Sequence, residues 1–116
     1  MWVFTKRGFV SIIASENSPT SFMVQSHFPG HIESLFPNAR VTEAPAGYGN
    51  YRFRAAVQKQ AVAEKLLDIV EHIDYFTFKE SIPDERYRKA VMDAWATLNK
   101  HALASGKARE PEEFMP

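Results

Sequence analysis

The chain contains no cysteine. Disulfides, thiolate nucleophiles and sulfur-ligated metals are all excluded by that one absence. It also lacks an excess of charge, because fourteen Lys and Arg balance fourteen Asp and Glu. No overall field therefore draws in nucleic acid or an anionic membrane surface. No apolar run approaches the ~20 residues that a bilayer-spanning helix needs. Glycines number only five. Gly47 and Gly49 stand in a turn-like segment with no helix pattern behind it, so they form no phosphate cradle. Serines and threonines occur without the glycine pattern of a nucleophile elbow. There is no internal repeat.

What is present suits one ordinary domain. At 116 residues and 45% hydrophobic content, the chain is long enough to bury a core without staples. A single domain is expected over residues 1–104, with 105–116 as a flexible tail. The opening, Met1 to Ile13, places two β-prone runs around a Lys6-Arg7-Gly8 turn signal, so the first residues belong to the sheet. Lys6-Arg7 followed by an apolar run resembles a signal peptide only superficially. Ser11 interrupts the run, and Trp2 and Phe4 precede it where a polar start belongs. A cytoplasmic location is the expectation.

Counted from residue 8, four runs read as strands: 8–14, 21–26, 39–44 and 51–57. A short helix is expected from Pro29 to Phe36, where Pro suits the first turn. A longer helix follows, with Val62, Leu66, Ile69 and Ile73 at helical spacing and Leu67 and Val70 widening the stripe. A last helix starts near 81–83, burying Tyr87, Val91, Ala94, Trp95 and Leu98. The fold class is therefore α+β: an antiparallel four-stranded sheet with helices on one face, ordered ββαββα, plus a C-terminal helix. That order is similar to a ferredoxin-like sandwich with its last strand moved to the front.

Strand alternation divides the sheet residues between two faces. Val10, Ile12, Phe22, Val24, Val41, Phe53 and Val57 form a core face. Phe9, Ser11, Ile13, Met23, Gln25, Arg40, Thr42, Arg52 and Arg54 share the other, where apolar residues stand beside arginines. Apolar and aromatic anchors with arginines nearby are the composition of a protein interface. Phe9, Ile13, Met23, Arg52 and Arg54 are accordingly the candidate binding residues, for a protein partner or for a second copy in a homodimer. A nucleic-acid platform fits worse, since Phe9 is the only aromatic assigned to that face and the charge is balanced.

Other chemistry is thinner. His27 and His31 are four apart, but Pro29 and Gly30 intervene, so a helical metal site is lost and two surface histidines are expected. Asp68, Glu71 and Asp74 lie opposite an apolar stripe and read as a solvated face. Neither a metal nor a cofactor is implied, and no catalytic constellation appears. Between the long helices, Tyr75, Phe76 and Phe78 crowd one short segment. Such area is usually buried, and Tyr75, Phe78 and Lys79 form a second candidate edge for recognition.

The start Met1-Trp2-x-x-Thr5-Lys6-x-Gly8-Phe9-x-Ser11, the segment Asp74-Tyr75-x-x-Phe78-Lys79, and the later Tyr87 and Trp95 together resemble a family of small bacterial and phage-encoded proteins with no assigned activity. The resemblance runs from residue 1 to about residue 98. It implies one compact cytoplasmic domain and carries over no catalytic residue. The expected role is non-enzymatic binding of another macromolecule. The alternatives are a small-ligand-binding regulatory domain and single-strand nucleic-acid binding on the sheet face.

Overall fold

The computed structural model describes residues 1–45 and 51–104. Its opening run is a strand in its own right. β1 (Trp2–Thr5) pairs antiparallel with β2 (Gly8–Ala14), with Trp2 opposite Ser11 and Thr5 opposite Gly8. Only Lys6 and Arg7 separate the two strands. Two-residue hairpin loops ordinarily use mirror-image turns with positive φ, yet neither residue here has one. Thr5 secures the turn in another way. Its hydroxyl accepts the N–H groups of Arg7 (3.2 Å) and Gly8 (3.1 Å) and donates to the Gly8 carbonyl (2.9 Å).

β3 (Ser21–Ser26), α1 (His31–Leu35), β4 (Thr42–Glu43), β5 (Phe53–Gln58) and α2 (Lys59–Glu71) follow. The sheet order is β1-β2-β3-β5-β4, and each neighbouring pair is antiparallel. The class is α+β as expected, but the sheet has five strands and not four, because β1 is a separate member. The strand expected over 39–44 is reduced to Thr42 and Glu43. β5 passes into α2 without a loop, since Gln58 is still extended (φ −55°, ψ 138°) and Lys59 already begins the helix. α1 starts after Gly30, whose φ of 85° is a left-handed conformation open to glycine.

The core lies where one sheet face meets these two helices. Val10, Ile12, Val24, Phe53, Ala55 and Val57 from the strands pack with Ile32, Leu35 and Phe36 from α1 and its end, and with Val62 from α2. Phe22, Val41, Leu66 and Ile69 pack against this cluster from its edge. Every residue assigned to the core face from alternation is thus in the core or against it. The stripe of α2 is narrower than its spacing implied: Leu67, Val70 and Ile73 are exposed.

The chain divides into two compact units, Met1–Ile73 and a second that begins at Asp74. The second contains α3 (Phe78–Ser81), a single turn, and α4 (Glu85–Ala104). Asp84 caps α4, its carboxylate accepting the N–H groups of Arg86 (2.9 Å) and Tyr87 (3.3 Å). Tyr87 and Val91 are its buried side chains and Ile82 ahead of it is buried too, whereas Trp95 and Leu98, assigned to the buried stripe, are exposed. The expected tail, 105–116, lies outside the described residues. Among the described residues, no helix is long and apolar enough to cross a membrane.

Candidate functional site

The register brings more rings onto the second sheet face than alternation from residue 8 suggested. Phe4 stands opposite Phe9, with ring centres 4.6 Å apart, and Trp2 meets Phe9 edge-on at 6.1 Å. Phe9 in turn lies parallel to His27 at 6.1 Å, and His27 stacks on Tyr51 at 4.5 Å. The result is a row of rings from β1 across β2 to the ends of β3 and β5. Its centre is closed and its outer end is open. Phe9 is only 6% exposed and Ser11 and Gln25 are buried, whereas Trp2 is 69%, Ile13 45% and Phe4 39% exposed.

The five candidate binding residues occupy distinct positions on this scaffold. Ile13 and Met23 are direct cross-strand partners, followed on the same rung by Ala56. Phe9 is the buried hub of the ring row. Arg54 shares a rung with Gln25 and Thr42. Its Nε is buried without a hydrogen-bond partner among the described residues. Arg52 precedes β5 and turns to other groups, donating from Nε to Glu43 Oε2 at 2.8 Å, with Nη2 at 2.7 Å, and lying 5.1 Å from the Phe53 ring centre. The two arginines therefore engage different neighbours.

Trp2, Phe4, His27 and Tyr51 were missed from the sequence. The signal for the first two was available: a two-residue turn at Lys6-Arg7 sets Phe4 opposite Phe9 and extends the face by one strand. Nothing in the spacing of His27 or Tyr51, both outside regular strands, signalled the stack.

The two histidines do different work. His27 is exposed within the ring row. His31, expected at the surface, is buried, and its Nδ1 accepts the Phe9 N–H at 3.0 Å. Among the described residues no group of three or more His, Asp or Glu is placed to hold a metal ion. In the second unit, the Tyr75 and Phe78 rings pack at 5.6 Å, and Lys79 Nζ sits 4.2 Å from the Trp95 ring centre. Phe76, between them, is almost wholly exposed.

The first unit also has a cleft of about 480 Å³ beside β5, between the end of α1 and the flank of α2. Leu35, Phe36, Val57 and Ala61 supply its apolar lining, and Glu64 and Asp68 its carboxylates. Comparison with family models, curated proteins and solved structures gives no match to this chain.

Proposed function

We propose that the chain is a non-enzymatic protein-binding domain, and that its contact surface is the second sheet face along the β1–β2 border. The observation that carries this reading is the joint exposure of Trp2, Phe4 and Ile13 on one face of an edge hairpin. Large apolar side chains clustered on a short edge strand favour association over solvation. Met23 extends the surface beyond Ile13. Phe9 supports it from beneath without itself being reachable, and Arg54 and Arg52 supply cations farther along the sheet. The ferredoxin-like reading of the fold belongs with this proposal. It is supported by the inner order β2-β3-β5-β4 with α1 and α2 on one face, β1 being an addition at the edge.

A second reading, binding of a small regulatory ligand, is favoured by the cleft beside β5, whose volume falls in the range of ligand pockets. The two are separated by one experiment. The native chain is isolated from its host with whatever accompanies it, and its particle mass is compared with that of a Trp2→Asp, Ile13→Asp double variant. A particle heavier than 13.2 kDa that falls to the monomer mass in the variant supports the contact surface. A 13.2 kDa particle for both chains sinks it and leaves the ligand reading in possession. Nucleic acid in the particle would show as a steep loss of association with salt.

A further inference from the structure

β5 is paired along its full length on one side and over only two residues on the other. β3 matches it from Phe53 to Gln58, whereas β4 reaches only Phe53 and Arg54. In an antiparallel ladder the N–H and C=O of one residue point to the same neighbour, and successive residues alternate. Two bonds fix the phase here. The Arg52 carbonyl accepts the Ala44 N–H (2.8 Å) on the β4 side, and the Lys59 N–H donates to the Thr20 carbonyl (2.9 Å) on the β3 side. Even-numbered residues of β5 therefore point away from β3. Beyond Arg54, the N–H and C=O of Ala56 and the N–H of Gln58 have no backbone partner on that side among the described residues.

This open edge is the floor of the cleft. Ala56, Val57 and Gln58 line it together with Leu35 and Phe36 from the end of α1 and Ala61 from α2. Along α2, Glu64 and Asp68 stand over the opening. Asp68 is already attended on both oxygens, by Lys65 Nζ at 3.8 Å and by His72 Nδ1 at 3.2 Å. Gln60 donates to one oxygen of Glu64, which leaves the other oxygen free to accept. Glu64 has no basic partner among the described residues, so the helix side of the cleft favours a positive group at Glu64.

We propose that the edge and cleft together form a docking site for an extended peptide, which adds as a further strand beside β5. Its backbone pairs with Ala56 and Gln58, one apolar side chain enters between Phe36 and Ala61, and a Lys or Arg meets Glu64. Backbone bonds supply affinity in this mode of recognition and alternate side chains supply specificity. Both specificity side chains must leave the strand on the helix side, so they are two positions apart and not adjacent. The site stands independently of the Trp2, Phe4 and Ile13 surface.

The test uses the whole chain and three blocked heptapeptides: Ser-Leu-Ser-Lys-Ser-Leu-Ser, the same with Glu in place of Lys, and a version with Leu and Lys adjacent. Binding is read by amide chemical shifts and titration calorimetry. The first peptide binds, moves the Ala56 and Gln58 amides, and is preferred over the other two by up to about fivefold, the scale of an exposed charge pair. Ala56→Pro removes the outward N–H, a change tolerated where that side of the strand is unpaired, and abolishes binding. Glu64→Lys leaves the backbone untouched and reverses the preference between the Lys and Glu peptides, so the proposal stays testable if the proline variant fails to fold. No binding, equal binding of all three peptides, or binding unchanged in a folded Ala56→Pro variant would each overturn it. The last result would point to a small-ligand pocket. Peptide binding that persists in the Trp2→Asp, Ile13→Asp variant shows that the two surfaces fail or succeed separately.

Discussion

His31 lies directly against Gly8. A Cβ on residue 8 would come within 2.8 Å of His31 Cγ and 2.9 Å of its Cβ, and the same imidazole accepts the N–H of the next residue, Phe9. The glycine is therefore required by a close approach, since its φ is not positive. Gly8→Ala forces the histidine to move and lowers stability by about 1–3 kcal/mol, the usual cost of overpacking. His31→Ala leaves a buried N–H without its acceptor, at a similar cost of about 1–3 kcal/mol. The double variant loses less than the sum, because the second change makes room for the first. Denaturant unfolding of the four chains measures the coupling, and simple additivity would show that the two sites do not touch.

The cap of α4 gives a simpler expectation. Asp84→Ala removes an acceptor shared by two N–H groups in the first turn and lowers stability by about 1 kcal/mol. Asp84→Asn retains an oxygen and recovers most of that loss. The comparison separates hydrogen bonding from the favourable charge at a helix start, and is read from the thermal unfolding midpoints of the three chains.

The inner sheet and its core face were legible in the sequence because alternation is a local signal. Val10 and Ile12, Val24, and Phe53 with Val57 each declare a face within a few residues. What stayed hidden depends on partners distant in sequence. Phe9 reads as an exposed anchor until the register places Phe4 and Trp2 beside it, and His31 as a surface residue until Gly8 makes room for it. The expected strand over 39–44 satisfied the local pattern, but Ala39, Arg40 and Val41 do not join the β4–β5 ladder. The open edge of β5 follows from that missing pairing, and no composition reveals it. The helical stripes were too wide for a related reason: spacing shows which residues share a side, and not how far a neighbouring element covers them.

Arg52 and Arg54 are two residues apart and respond oppositely to loss of charge. Arg52 forms an exposed pair with Glu43, so Arg52→Met costs at most ~1 kcal/mol. Arg54 holds a buried Nε with no hydrogen-bond partner among the described residues. Arg54→Met keeps an unbranched apolar stem and removes the unsatisfied donor, leaving stability unchanged or raised by up to ~1 kcal/mol. Unfolding midpoints decide the matter. A loss at Arg54 larger than at Arg52 would mean that its guanidinium has a partner after all.

Lys79 and Trp95 give the second unit a contact that can be observed optically. The ammonium sits 4.2 Å from the indole centre, close enough for a cation–π attraction of about 0.5–1 kcal/mol at a partly exposed site. The chain has two tryptophans, so Trp2→Phe leaves Trp95 as the single indole. In that background, Lys79→Met keeps the aliphatic stem over the ring and removes only the charge. The Trp95 emission spectrum shifts, and the unfolding midpoint falls by an amount matching the lost attraction. Lys79→Arg restores both, because a guanidinium also stacks on an aromatic face. Identical spectra and midpoints for all three chains would show that the ammonium does not rest over the ring.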